Sequence, residues 1–172
     1  MFGLFKKELK LIAPATGKTI DLSQVPDQVF AEKMAGDGVA IEVTGDTIVA
    51  PADGELSLVF KTNHAFAMTL SNGIELLVHV GIDTVSLEGE GFERLTEPGQ
   101  QVKAGTPILK IDRDFILGKG LKLHTPVLIT ASVATRKRQR LNPPRERALR
   151  SARRWARAWD PARLSTQAAL SD

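Results

Sequence analysis

The chain contains no cysteine, which excludes disulfide bonds, thiolate nucleophiles and cysteine-ligated metal centres. It also has no apolar run near the roughly 18 residues that a membrane-spanning helix needs. Its first ten residues mix three lysines with scattered large apolar side chains, and they lack the continuous apolar stretch of a secretory signal peptide. These absences favour a cytoplasmic protein.

Charge and residue type divide the chain near residue 135. Residues 1–135 carry 12 basic and 17 acidic side chains, a net charge of −5, whereas residues 136–172 carry 11 and 3, a net charge of +8. Lysine gives way to arginine at the same point, and neither valine nor isoleucine occurs after Val133. We therefore predict a short N-terminal segment over residues 1–10, a folded body over residues 11–135 and a separate basic tail over residues 136–172.

The body has the pattern of an all-β protein. Short runs such as residues 39–43 and 56–60 alternate apolar with small or polar side chains, and Gly, Pro and Asp separate them. Many short strands at this spacing predict an antiparallel β-sandwich or barrel. The only helix that the pattern suggests is a short one over residues 27–34.

The tail over residues 136–172 allows three interpretations. Leu149, Trp155 and Trp159 fall on one face of a possible basic amphipathic helix, which would suit acidic lipid or nucleic acid. A run of this charge is also typical of a solvated, disordered tail. The third interpretation is a shifted reading frame, since the Arg, Ala, Pro and Ser content is typical of such frames in GC-rich genes. In that case the sandwich would lack its closing strand.

Asn72-Gly73 between two alternating runs predicts a β-hairpin with a two-residue turn. In that register Ser71 pairs with Ile74, and side chains two residues apart share a face of the hairpin. One face is then predicted to carry both histidines of the hairpin, an orienting hydroxyl and an apolar surround; its members are Thr62, His64, Phe66, Met68, Leu77, His79 and Asp83. The other face, which includes Ala65 and Val78, is predicted to be core.

The predicted closeness of His64 and His79 suits phosphoryl transfer. A neutral imidazole nitrogen is nucleophilic near pH 7, and a second imidazole can donate a hydrogen bond to the transferring group. Thr62 is placed to orient His64, and an apolar surround excludes water when a partner docks. Two unrelated structural histidines remain an alternative, as does a metal site, although no third ligand lies nearby. We assign His124 no catalytic role.

Motifs along the body resemble a known family. They run in order from about residue 11 to residue 130: Phe30-Ala31-Glu32-Lys33-Met34-Ala35-Gly36-Asp37-Gly38, Val49-Ala50-Pro51-Ala52-Asp53-Gly54, Thr62-Asn63-His64-Ala65-Phe66, Val78-His79-Val80-Gly81-Ile82-Asp83-Thr84-Val85, Gly89-Glu90-Gly91-Phe92 and Thr125-Pro126-Val127. This set is similar to the signature of the glucose-type enzyme IIA components of the bacterial phosphoenolpyruvate-dependent sugar phosphotransferase system.

The resemblance implies a phosphotransferase component with a phosphohistidine intermediate and no cofactor or metal. Phosphate would pass from the phosphocarrier protein HPr to His79, with His64 in support, and then to a cysteine of an enzyme IIB. Thr62 would orient His64, and Asp83 would lie at a rim that meets a basic partner. Phe30 and Phe66, with Met68 and Leu77, would form the docking surface. Membrane association would occur only through a partner, and the body is not expected to bind nucleic acid.

Two other functions stay open. Residues 49–54 and 97–109 also resemble biotinyl or lipoyl carrier domains, which modify a lysine at an exposed hairpin tip. Lys61 and Lys103 lack the flanking residues that such carriers need. A non-catalytic regulatory binding protein is the third possibility, because some glucose-type enzyme IIA components bind transporters and metabolic enzymes.

Overall fold

The computed structural model describes residues 10–132, and the basic tail predicted over residues 136–172 lies outside them. The described residues form ten strands: β1 (Gly17–Ile20), β2 (Asp37–Val43), β3 (Thr47–Val49), β4 (Gly54–Val59), β5 (Ala65–Leu70), β6 (Ile74–His79), β7 (Phe92–Arg94), β8 (Gln101–Val102), β9 (Pro107–Ile111) and β10 (His124–Ser132). Two short helices, α1 (Gln28–Ala31) and α2 (Arg113–Gly118), and two 3-10 helices, Leu22–Gln24 and Thr84–Leu87, lie between strands. Within residues 10–132, no helix combines the length and apolarity that a membrane crossing requires.

The strands form two antiparallel sheets. The large sheet has the order β1-β2-β10-β6-β5-β4-β8, and the small sheet has the order β3-β9-β7. The main core contains inward-facing apolar side chains of both sheets, among them Ile48, Leu109, Leu56, Phe66 and Val78. The predicted antiparallel β-sandwich is confirmed.

A second apolar cluster covers the outer face of the large sheet. The segment between β1 and β2 contributes Leu22, Val25 and Phe30, which pack with Leu128 of β10 and with Leu77 of β6. This segment therefore brings α1 against the end of the sheet where β6 finishes.

Helix α1 is shorter than the helix predicted over residues 27–34. Asp27 caps its first turn by accepting a hydrogen bond from the backbone N–H of Val29. Lys33 has a φ of 58°, and the N–H of Met34 donates to the carbonyl of Val29, which is the closing bond of a Schellman motif. The left-handed residue thus ends the helix early.

The hairpin of β5 and β6 has a register one residue away from the predicted one. Met68 lies opposite Leu76, and Thr69 lies opposite Glu75, so the loop between Leu70 and Ile74 has three residues instead of two. Gly73 is left-handed with a φ of 76°, and its N–H donates to the carbonyl of Leu70. The side chain of Asn72 accepts from the N–H of Ile74 at 3.1 Å, which stabilises this longer turn.

The shifted register places the side chains of β5 on the faces opposite to those predicted, while β6 keeps its predicted core face. Phe66 lies opposite Val78 and Met68 opposite Leu76, and all four belong to the main core. Phe66 and Met68 are 0% and 1% exposed, so the prediction that they contribute to a docking surface was wrong.

Candidate functional site

His64 and His79 meet at one end of the large sheet. Their ring centroids are 5.1 Å apart, and the ring planes are inclined at 74°. The predicted proximity is confirmed, but the route to it differs from the predicted one. His79 ends β6 opposite Ala65, whereas His64 precedes β5 and accepts a backbone hydrogen bond from Val80.

The side chain of His64 does not follow the alternation of side chains along β5, and the reason is the conformation of the residue before it. Asn63 has a φ of 53°, which is the left-handed conformation that asparagine tolerates better than most residues. The bend lies just outside β5, so His64 can turn to the face that carries His79. The strand pattern alone gives no indication of this bend.

One ring nitrogen of His79 forms a hydrogen bond with the backbone two residues later. The Nδ1 atom lies 2.8 Å from the carbonyl oxygen of Gly81. A carbonyl can only accept, so Nδ1 carries the proton and donates, and Nε2 keeps its lone pair. The arrangement determines both the tautomer and the orientation of the ring.

Gly81 is required for that contact. Its φ is 77°, and a Cβ atom at this position would lie 2.5 Å from Cγ2 of Thr84 and 3.0 Å from the carbonyl oxygen of Lys122. The hydroxyl of Thr84 also donates to the carbonyl of Val80 at 2.6 Å, which stabilises the turn after β6. Glycine at position 81 therefore allows its own carbonyl to reach the ring of His79, two residues earlier in the chain.

Thr62 contacts His64 as predicted. Its hydroxyl oxygen lies 2.5 Å from Nδ1 of the imidazole. Because each histidine uses Nδ1 for this anchoring, the Nε2 atoms of the pair are the ring nitrogens left for chemistry. The structure thus provides two oriented imidazoles, each with its Nε2 atom free of the Nδ1 contact.

Two phenylalanines flank the histidine pair. The ring centroid of Phe30 lies 5.0 Å from that of His79, and the centroid of Phe60 lies 5.3 Å from that of His64. Phe30 was predicted to belong to the docking surface; it is 7% exposed and packs in the outer cluster beside half-buried Leu77. Phe60, which is 37% exposed, was not predicted, because its turn to the site depends on the bend at residues 60–63.

Burial lowers the pKa of both histidines. For His79 burial outweighs four influences that raise the pKa: the hydrogen bond to the Gly81 carbonyl, the carboxylates of Asp27 and Asp83, and a backbone hydrogen bond within His79 itself. For His64 burial is again the main cause, and the neighbouring His79 adds to it. Both imidazoles are therefore neutral near pH 7, which is the nucleophilic form.

The surroundings of the pair are apolar with an acidic border. Asp83 is exposed, as predicted, and Asp27 on the opposite segment was not predicted. Val29 and Val85, which follow these carboxylates in the chain, are 46% and 52% exposed. Within residues 10–132, no cluster of three or more histidine, aspartate or glutamate side chains could hold a metal ion.

The other candidate residues lie elsewhere. His124 is on β10, with Nε2 3.5 Å from a carboxylate oxygen of Glu42 on the neighbouring strand. Lys103 forms an ion pair with Asp53 at 3.0 Å. Neither contributes to the histidine pair.

The match to a known family decides the classification. Residues 9–135 match the family described as the phosphoenolpyruvate-dependent sugar phosphotransferase system, EIIA 1. The chain belongs to this family. The resemblance to glucose-type enzyme IIA components is confirmed, and the match favours phosphoryl transfer over the biotinyl or lipoyl carrier.

Relatives occur both as separate proteins and as parts of longer ones. The chain is 45% identical over 130 residues to the glucose-specific EIIA component of Borreliella burgdorferi, covering 74% of this chain and 69% of that protein. It is 48% identical over 119 residues to the N-acetylglucosamine-specific EIICBA component of Escherichia coli, covering 69% of this chain. The chain spans only 18% of that longer relative.

A solved structure has the same fold. The glucose permease IIA of Mycoplasma capricolum superposes with a TM-score of 0.72 and is 39% identical in sequence. The match covers 77% of this chain and 86% of that one. The chain therefore belongs to a family of sugar phosphotransferase EIIA components, is similar to its glucose-type members, and has the β-sandwich of this solved relative.

Proposed function

We propose that the protein is a phosphoryl carrier that accepts phosphate from HPr on Nε2 of His79 and passes it to a cysteine of an enzyme IIB. The observation that carries this proposal is the 2.8 Å hydrogen bond from Nδ1 of His79 to the Gly81 carbonyl. It keeps the proton on Nδ1 and leaves the Nε2 lone pair free to attack phosphorus.

The first transfer requires no base. The Nε2 lone pair forms a nitrogen–phosphorus bond while the bond from phosphorus to HPr breaks, and that electron pair leaves with HPr. The phosphorylated ring gains positive character, which the Gly81 carbonyl and the carboxylates of Asp27 and Asp83 stabilise. No proton has to leave Nε2 in this step, so no neighbouring group has to act as a general base.

The second transfer reverses these bonds. A cysteine thiolate of the enzyme IIB attacks phosphorus, the nitrogen–phosphorus bond breaks, and its electron pair returns to Nε2 of His79. The hydroxyl of Thr62 contacts Nδ1 of His64, and we assign the ring proton of His64 to Nε2, where it can bind a phosphoryl oxygen. His64 thereby stabilises the charge that spreads over the phosphoryl oxygens during transfer.

The surface around the pair suits a protein partner. Phe60, Val29 and Val85 expose apolar area, and Asp27 and Asp83 add negative charge at its border. Such a surface favours a partner with an apolar centre and basic rim, and docking excludes water from the phosphoryl group. We place this exchange in the cytoplasm, with membrane contact only through the enzyme IIB.

Phosphorylation assays on histidine variants test the proposal. The chain is incubated with labelled phosphoenolpyruvate, the first enzyme of the system and HPr, and the label on the chain is measured. We expect His79→Gln to accept no label and His64→Gln to accept label but transfer it slowly to enzyme IIB. His124→Gln is the matched control and should behave as wild type, because His124 lies outside the pair. Wild-type labelling of His79→Gln would reject the assignment.

A further inference from the structure

The turn that carries His64 is short and unusual. It spans residues 60–63, where the N–H of Asn63 donates to the carbonyl of Phe60 at 2.8 Å. Asn63 is left-handed, and the side chains on either side of it, Thr62 and His64, are joined by their own hydrogen bond. Any change in the backbone at Asn63 would therefore displace the ring of His64.

Arg94 of β7 binds this turn from the small sheet. Its Nε and Nη2 atoms donate to Oδ1 of Asn63 at 3.0 and 2.9 Å, and Nη2 also lies 3.4 Å from the carbonyl oxygen of Phe60. The remaining terminal nitrogen, Nη1, donates to Glu97 at 3.1 Å. One side chain thus contacts both ends of the turn.

The geometry suits arginine in particular. The guanidinium places Nε and Nη2 in one rigid plane, so both can donate to the single amide oxygen of Asn63. The side chain of Arg94 is 25% exposed, which shields these bonds from water more than an open surface would. The ammonium of lysine has no fixed fork and cannot reproduce the same set of bonds.

We propose that Arg94 is a positioning residue: it holds Asn63 in its left-handed conformation and thereby keeps His64 beside His79. The hydrogen bonds of Arg94 go to Asn63, Phe60 and Glu97, and its proposed effect on His64 passes through Asn63. Its effect on phosphate transfer rests on the function proposed above, whereas its effect on the ring of His64 does not.

The kinetic experiment uses variants on both sides of the contact. Arg94→Met keeps much of the aliphatic stem and removes the guanidinium, and Asn63→Gly keeps access to positive φ while removing Oδ1. We expect either change to slow phosphate transfer from His79 to enzyme IIB roughly tenfold, since small displacements of a supporting group have effects of this size or larger. The amount of phosphate accepted on His79 should not change.

Combined variants show whether the effect passes through His64. If it does, Arg94→Met combined with Asn63→Gly should be no slower than either alone, and Arg94→Met should add nothing in a His64→Gln background. Glu97→Gln is the control, because it weakens the ion pair and leaves the bonds to Asn63 in place. Equal effects of Arg94→Met and Glu97→Gln would overturn the proposal.

Nuclear magnetic resonance of the imidazole nitrogens gives a readout independent of phosphate transfer. In Arg94→Met we expect the ring signals of His64 to shift and its pKa to rise toward 6.5, because a displaced ring loses the burial that lowers its pKa. Unchanged His64 signals in a folded Arg94→Met protein would overturn the proposal. If that variant does not fold, Asn63→Gly decides by the same criterion. If the wild type accepts no phosphate, the proposed function fails, and these signals still decide the role of Arg94.

Discussion

Nδ1 of His79 and the carbonyl oxygen of Gly81 lie 2.8 Å apart, and the positive φ of that glycine makes the contact possible. The bond assigns the ring proton to Nδ1, and it does so within three consecutive residues. The nucleophilic nitrogen of the proposed carrier is therefore specified by a local turn at the end of a strand.

Gly81→Ala should damage both stability and transfer. The new Cβ would lie 2.5 Å from Thr84 in a backbone conformation that alanine adopts poorly, so we expect a loss of about 1–3 kcal/mol in the free energy of unfolding. Phosphate acceptance on His79 should fall as well, because the turn can no longer present the carbonyl. Denaturant unfolding and labelling by HPr measure the two effects.

Gly73→Ala is the matched control for that change. Gly73 has nearly the same φ, 76°, but a Cβ there meets no atom within 4 Å. Gly73→Ala should lose only the stability that a positive φ costs alanine, and it should accept phosphate normally. Equal losses of phosphate acceptance in the two variants would contradict the role assigned to Gly81.

Thr62→Val should separate the two transfer steps. Valine keeps the shape of threonine and removes the hydroxyl that contacts Nδ1 of His64. We expect near-normal acceptance of phosphate and roughly fivefold slower transfer to enzyme IIB, as for the loss of one hydrogen bond of about 1 kcal/mol. Thr47→Val removes a hydroxyl of β3 that donates to Asp46, and it should leave both steps unchanged.

The sequence predicted the sandwich and the histidine pair, but it did not predict the details that orient the pair. Alternation and turn residues indicate strands reliably because they reflect which face of a sheet is buried. The predicted hairpin register was wrong by one residue because the side chain of Asn72 accepts a hydrogen bond from the N–H of Ile74 and stabilises a longer turn. This shift of one residue in register places Phe66 and Met68 in the core instead of at the surface.

The contacts that could not be predicted are those between distant parts of the chain or across an irregular turn. The approach of Phe60 to His64 depends on the left-handed Asn63, and the approach of Arg94 depends on how the two sheets pack. Asp27 reaches the surroundings of His79 because the segment before β2 folds over the large sheet. No spacing rule within one strand contains this information.

The lowered pKa values predict a pH dependence of stability. An ordinary histidine has a pKa of 6.5, and both folded histidines titrate below it. The unfolded chain therefore binds protons first as the pH falls, so stability is full above 6.5 and declines as the pH falls below that value. Thermal unfolding between pH 7.5 and 5.5 should show this decline, and it should be smaller in a His64→Gln, His79→Gln double variant.

Removing Asp83 should lower the pKa of His79 further. Its carboxylate favours the protonated ring, so Asp83→Asn removes one of the influences that oppose burial. Imidazole nitrogen signals followed by nuclear magnetic resonance across pH report the change directly. Asp46→Asn, which alters a carboxylate next to β3, should leave the titration of His79 unchanged; a rise of the His79 pKa in Asp83→Asn would contradict the assignment.

Phe60→Ala should weaken partner docking more than stability. Phe60 is partly exposed beside His64, so its removal takes apolar area from the proposed docking surface. We expect the KM for phosphorylated HPr to rise several-fold. Leu117→Ala, which truncates an exposed leucine of α2 outside the site, should leave that KM unchanged. An equal rise of KM in both variants would argue against docking at Phe60.

The most direct test is to locate the phosphate on the histidine ring. The chain is labelled with nitrogen-15 in its histidines and phosphorylated through HPr, and long-range proton–nitrogen spectra then identify the phosphorylated nitrogen. We expect phosphate on Nε2 of His79, with Nδ1 still protonated and bound to the Gly81 carbonyl. Phosphate on Nδ1 of His79, or on either nitrogen of His64, would contradict this assignment.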